Sequence, residues 1–193
     1  MKLIIPLFVI LFSACNEPAE QNEIQVKDTS TITATEVPEM GRAEPKPTQV
    51  IYTGSTEIQT GNTLPADLVA YAKTLMGIPY HYAASDPKVG FDCSGFITYV
   101  FNHFNIAVPR SSVDFTNVQH VVPLQQANPG DLILFTGTDS TIRIVGHMGI
   151  ITSNNQGNID FIHSTSGKQY GVTITPFEKY YMGRFVKVIR VFK

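Results

Sequence analysis

The chain has 193 residues, 43% of them hydrophobic, and a formal charge of -2. That balance suits one soluble domain with appendages, and the lack of a basic block excludes a nucleic-acid binder working through clustered lysine and arginine. The two cysteines, Cys15 and Cys93, lie in segments of different character and read as separate duties, not as a disulfide.

Residues 1–15 read as an export signal. Lys2 supplies a short positive end, and Leu3 to Phe12 is an apolar run too short to span a bilayer. Ser13 and Ala14 place small residues directly before Cys15. The segment resembles a bacterial lipoprotein signal, with Phe12 where leucine is commoner. That resemblance implies cleavage before Cys15, acylation of it, and attachment to a membrane of the cell envelope, facing the periplasm or the cell surface. The competing expectations are a secreted protein cut nearby and an uncleaved anchor.

Residues 16–62 carry eight acidic against three basic side chains and one aromatic, Tyr52. Such a stretch cannot bury enough apolar surface to offset the cost of ordering, and it is expected to be a disordered acidic tether. Residues 63–193, with a charge of +2, form the domain; about 130 residues suffice for one core.

Within the domain, Leu64 to Met76 is expected to be a helix, with Pro65 in its first turn, Gly77 at its stop, and a stripe of Leu68, Val69, Ala72, Leu75 and Met76. An aromatic-rich loop from Gly77 to Ala84 follows. A second helix begins at Cys93, because Phe96, Ile97, Val100, Phe101 and Phe104 recur at the three-and-four spacing of one buried face and Asp92 is a good N-cap type. A turn from Val108 to Ser112 leads into a short helix over residues 112–118. The second half changes period. Strands are expected over 130–135, 146–151, 159–163, 172–175 and 185–192, with one helical turn over 176–181. Helices followed by a run of short strands indicate an α+β fold with an antiparallel sheet of about five strands.

Cys93 in the first turn of a helix has chemical consequences. A free thiol with a pKa of about 8.5 is only slightly ionised at neutral pH, whereas helix N–H groups and a histidine partner favour the thiolate. The same N–H groups can hold an oxyanion. The competing reading is a small buried hydrophobe, so the histidines must decide. His103 lies ten residues along the same helix, roughly 15 Å away at 1.5 Å per residue. His120 is expected in a solvent-facing loop, and His81 in a loop that places it poorly. His147, flanked by Gly146 and Gly149, and His163 lie on strands and could stand side by side, about 5 Å apart between Cβ atoms. A base beside a thiol, oriented by a third polar group, suits nucleophilic catalysis; two ordinary strand histidines are the alternative. Cys93, His147 and His163 could also supply three zinc ligands, but neither HExxH nor Cys-x-x-Cys is present, so neither metal nor cofactor is expected.

At these residues the domain resembles the NlpC family of papain-like cell-wall cysteine peptidases. The matching pieces are Gly77-Ile78-Pro79-Tyr80, Phe91-Asp92-Cys93-Ser94-Gly95-Phe96, Val108-Pro109-Arg110-Ser111, Pro129-Gly130-Asp131-Leu132, Gly146-His147-Met148-Gly149-Ile150 and Phe161-Ile162-His163-Ser164. The resemblance implies a papain-like fold and a peptidoglycan endopeptidase that cuts amide bonds in stem peptides or crosslinks. Cys93 would attack, His147 would move the proton, and His163 would orient His147. The Cys93 N–H would help form the oxyanion hole, and Tyr80, Asp92 and Ser94 would lie on the substrate-binding side, Asp92 holding a free stem-peptide amine. Asp131 and Arg110 read as turn residues or paired surface charges. Tyr82, Ala83 and Ala84 depart from the tryptophan and two glycines common there, which bears on specificity. The implied partner is peptidoglycan, met by a monomer that binds no nucleic acid. The rivals are a silent peptidoglycan-binding module and an amidase or acyltransferase of related fold.

Overall fold

The computed structural model describes residues 54, 56–118 and 120–193. The export signal, Cys15 and most of the stretch read as a tether lie outside the described residues.

Helix α1 (Pro65–Thr74) starts at the proline, whose missing N–H costs nothing in a first turn. It buries Leu68, Val69 and Ala72 and stops before Gly77, which takes φ +85° and donates its N–H to Val172 O at 2.9 Å. A two-residue hairpin follows, β1 (Ser85–Asp86) with β2 (Gly90–Phe91). Helix α2 (Cys93–His103) then begins at Asp92, whose carboxylate accepts the Gly95 N–H. Phe96, Ile97, Val100 and Phe101 are fully buried along its inner face, each contributing about 1.5–3 kcal/mol of apolar burial. Residues Ser112–Asn117 form a 3-10 helix where a short helix was expected.

The sheet is antiparallel, in the order β3 (Val121–Val122), β8 (Phe185–Ile189), β4 (Leu132–Thr136), β5 (Val145–Asn155), β6 (Asn158–Thr165) and β7 (Gly171–Pro176). It has six strands where about five were expected. The additional one is β3, too short to show a period in sequence and held at the edge by pairing with Ile189 and Val188. Strand β4 is buried throughout because both its faces are covered. Leu132 and Leu134 point into the core beneath α1 and α2. Ile133 and Phe135 point into a second cluster with Ile151, Phe161, Phe177, Tyr181 and Val188. Helix α3 (Lys179–Arg184) contributes Tyr181 to that second cluster and begins three residues later than the helical turn expected there. Ile58, ahead of α1, is buried in the first core, and Glu57 beside it pairs with Lys193 at 3.4 Å. Among the described residues, no helix is long and apolar enough to cross a membrane.

Candidate active site

The N-terminus of α2 abuts the start of β5. Cys93 is half-buried, and its Sγ lies 3.9 Å from the carbonyl oxygen of Gly146. The backbone N–H of Met148 also bears on the sulfur. Gly146 and Met148 flank His147, so the thiol sits against the strand segment that carries the imidazole. Two glycines let neighbouring backbone and His163 close in around that segment. A Cβ on Gly146 would lie 2.8 Å from Gly137 N, and one on Gly149 would lie 2.8 Å from Ile162 O and 3.2 Å from the Cβ of His163.

His147 and His163 meet across the β5–β6 pair, with Nε2 of His147 2.8 Å from Nδ1 of His163. His163 is fully buried, and its Nε2 lies 2.9 Å from the hydroxyl oxygen of Thr175 on β7. The reverse order, started by the Thr175 hydroxyl, satisfies the chain equally but puts a proton on His147 Nδ1; the order that suits base chemistry runs from His147 Nε2–H to His163 Nδ1 and from His163 Nε2–H to Thr175 Oγ1. It leaves His147 Nδ1 with a free lone pair, which can act as a base. Both ring nitrogens of His163 are spent on its neighbours, Nδ1 on His147 and Nε2 on Thr175. Both imidazoles are held below the ordinary histidine range, first by burial; His163 falls to about 3.

The thiol differs from expectation. The N–H groups of Ser94, Cys93 and Met148 do favour the thiolate, but burial, followed by the Asp92 carboxylate, outweighs them and pushes Cys93 up to about 11. Near neutral pH the resting pair is a thiol beside a neutral imidazole. A thiolate would arise there only by handing the proton to a base.

Asp92 and Ser94 lie together, though in a knot tied mainly by Arg110. The guanidinium grips Asp92 through Nη1 to Oδ1 at 3.1 Å and Nη2 to Oδ2 at 2.9 Å, and Nη1 also donates to Ser94 Oγ at 3.1 Å. With the Gly95 N–H and the Ser94 hydroxyl also on Oδ1, only Oδ2 keeps an acceptor position open. Arg110 is thus a paired charge, but it belongs to the wall of the site, eighteen residues from the carboxylate it holds. Asp131 is buried rather than on the surface, paired with Arg190 at 2.8 Å.

Tyr80 is half-buried beside the site. Its phenol is raised by burial and then by the nearby Cys93 and Asp92. Its ring meets Tyr170 edge-on at 6.0 Å. Tyr82 is exposed on the adjoining loop, and Ala83 takes φ +60°, a conformation natural to glycine. The other histidines stand apart. His103 is exposed and stacks on Tyr71 at 3.6 Å between ring centroids. His120 and His81 are exposed, the latter with Nδ1 3.1 Å from Tyr82 O. Thr175, Tyr181 and Arg184 surround the imidazole pair without any sequence cue. They come from β7 and α3, and only the packed sheet brings them there.

The NlpC/P60 family model matches residues 77–191, the whole span from the Tyr80 loop to the end of the sheet. The chain belongs to the NlpC/P60 family. It is 34% identical over 137 residues to a gamma-DL-glutamyl hydrolase of Bacillus subtilis, covering 70% of this chain and 32% of the relative. It is 29% identical over 148 residues to the peptidoglycan endopeptidase RipB of Mycobacterium tuberculosis, covering 69% of this chain and 57% of RipB. The chain therefore spans between a third and just over half of these curated relatives. Among solved structures, an NlpC/P60 family protein from Bacillus cereus superposes with TM-score 0.60 at 26% identity, covering 71% of this chain and 43% of that one. The RipB structure superposes with TM-score 0.50 at 26% identity, covering 67% of each. The α+β, papain-like architecture expected from the sequence is that of this NlpC/P60 domain.

The chain ending at Thr175 carries a prediction. Thr175→Val removes the acceptor of His163 Nε2–H and leaves a buried donor unpaired, at a cost of about 1–3 kcal/mol. The proton then favours His163 Nδ1, which forces His147 into the tautomer that cannot act as a base. The expected result is a tenfold to hundredfold fall in kcat, with KM little changed and Thr175→Ser close to wild type. Steady-state kinetics on a soluble stem peptide check it.

Proposed function

We propose that this protein is a cysteine endopeptidase of the bacterial cell wall that hydrolyses amide bonds in peptidoglycan stem peptides. The carrying observation is the half-buried Cys93 at a helix N-terminus, set against the His147 segment, with His147 backed by His163 and Thr175. In this reading His147 Nδ1 takes the Cys93 proton as Sγ attacks the carbonyl carbon, and the Cys93 N–H helps hold the oxyanion. His147 then gives that proton to the leaving amine, and water hydrolyses the thioester. His163 fixes the tautomer and orientation of His147.

Tyr80 polarises the site from one side, and Asp92 and Ser94 line the substrate wall. The open position on Asp92 Oδ2 takes the free amine of a stem peptide, although Arg110 cancels most of the attraction. The names of relatives favour the bond next to D-glutamate: one is a gamma-DL-glutamyl hydrolase, another a muramidase/DL-endopeptidase. Residues 1–15 serve as a lipoprotein signal, Cys15 carries the lipid, residues 16–62 act as a tether that joins the domain through Ile58, seated in the first core, and the domain of residues 63–193 works as a monomer at the cell envelope.

A panel of defined muropeptides with products identified by mass spectrometry tests this. Cleavage is expected between γ-D-glutamate and the diamino acid, faster when the terminal amine is free than when it is acetylated. Binding of the whole panel without cleavage would leave a binding module instead. Transfer of an acyl group to an added amine would point to the acyltransferase rival.

A further inference from the structure

Arg184, the last residue of α3, is 7% exposed. Its fork is spent on uncharged partners. Nε donates to Gly137 O at 2.8 Å, Nη2 to Thr136 O at 2.8 Å, and Nη1 to the Tyr180 hydroxyl at 2.9 Å. Among the described residues no carboxylate pairs with it. A buried cation without a counter-charge is costly to a fold, and an apolar residue of similar volume often serves stability better. Where that charge lies gives it a use.

The guanidinium carbon sits 5.0 Å from the ring centre of Tyr180 and 5.5 Å from that of Tyr181. The Tyr181 ring also stacks on His147, 6.1 Å between centroids at 26°, and meets His163 edge-on at 5.5 Å. Guanidinium, phenol ring and imidazole pair thus follow one another through the second core. The same guanidinium holds the bulge of β4. The register of β4 shifts between Phe135 and Thr136, just where Gly137 comes up against Gly146. Gly146 supplies the carbonyl next to the Cys93 sulfur.

We propose that Arg184 is a positioning residue of the hydrolytic centre, holding the Thr136–Gly137 bend against Gly146 while its unpaired charge, one ring behind the histidines, keeps His147 an uncharged base until it takes the thiol proton. This rests on reading Cys93, His147 and His163 as that centre. The titratable and charged groups around the imidazoles are each other, Tyr181 and, behind its ring, Arg184 from α3, with the Thr175 hydroxyl from β7 and the Cys93 thiol of α2 against the flanking Gly146. Of these Arg184 carries the formal charge, and after burial it depresses both rings. Its own cost is offset in part by the two aromatic faces it lies over.

The sign of the effect is fixed. Base catalysis needs neutral His147, so the acidic limb of kcat/KM follows that ring. A neighbouring cation moves the limb to lower pH, and losing the cation moves it to higher pH. Three variants separate charge from scaffolding: Arg184→Gln removes charge and fork, Arg184→Lys keeps the charge, and Tyr180→Glu sets a carboxylate against Nη1 while sparing the bonds to Thr136 and Gly137. Tyr180 is exposed, so this last variant keeps the test open if Arg184→Gln does not fold. The readouts are the pH profile of stem-peptide cleavage and the pH titration of the His147 ring by NMR in the substrate-free protein. Arg184→Gln and Tyr180→Glu are expected to shift both upward, and Arg184→Lys to leave both in place. The proposal is overturned if Tyr180→Glu titrates as wild type does, or if Arg184→Lys moves as far as Arg184→Gln. A wild type that cleaves no wall peptide while its His147 signal still responds to these variants would defeat the substrate reading alone. Cleavage by the wild type with an unresponsive His147 signal would defeat the Arg184 proposal alone.

Discussion

Cys93→Ala and His147→Ala are each expected to lower kcat/KM on a cell-wall peptide by roughly 10⁴-fold or more, and the double variant is expected to be no worse than either single one. The reason lies in the proton. With the thiol pushed up to about 11 by burial and Asp92, and His147 held well below the ordinary histidine range by burial, His163 and Arg184, neither partner ionises alone near neutral pH. In the proposed mechanism nucleophile and base exist only as a pair, so removing either removes both. Independent contributions would instead multiply in the double variant. Stability is expected to change little in Cys93→Ala, because the site is half-buried and alanine keeps the Cβ. Near-UV circular dichroism and the melting temperature separate lost chemistry from lost fold.

Gly95→Ala is expected to destabilise the domain by about 3 kcal/mol or more, a fall of roughly 10 °C or more in melting temperature. A Cβ at this position would run into the carbonyl oxygen of Ala84 and lie 2.9 Å from Asp92 Oδ1. Neither atom can yield cheaply. Ala84 O accepts the Asp92 N–H at 3.0 Å, and Asp92 Oδ1 caps α2 and receives Arg110. Relief of the clash pulls away the loop that carries Tyr82 and Ala83, loosens the cap, and turns the first helical turn with Cys93 on it. Activity is expected to fall with stability. Gly183→Ala in α3 is the control. A Cβ there meets nothing within 4 Å, so helix propensity predicts an unchanged or slightly raised melting temperature. Thermal unfolding of both variants checks the contrast.

Those two glycines mark how far the sequence could be read. The five longer strands were legible because apolar runs bounded by Pro129-Gly130 or by Asn154 to Asn158 have the length and punctuation of strands. Strands β1, β2 and β3 have two residues each, too few for any period, and exist because neighbours supply their hydrogen bonds. The start of α2 was legible in Asp92 and the spacing after it. The competition over Asp92 was also foreseeable, but its outcome depended on Arg110, which reaches it only through the turn after α2. The direction of the Cys93 shift was not legible. A helix N-terminus can be seen in a sequence, whereas the weight of burial over that thiol depends on β5 folding back onto it. Thr175, Tyr181 and Arg184 are ordinary strand and helix residues by type. Their place around the imidazoles is a product of sheet order, with β7 beside β6 and α3 packed under Phe135 and Phe161.

The central claim is that one sulfur, Cys93 Sγ, carries the hydrolysis of wall peptides. Digestion of purified sacculi by protein alkylated with iodoacetamide, with the modified residue mapped by mass spectrometry, tests it most directly. The account predicts that carbamidomethylation of Cys93 ends muropeptide release in proportion to its extent, while EDTA leaves release unchanged. Undiminished release from protein fully alkylated at Cys93, or release abolished by EDTA with the thiol intact, would contradict it.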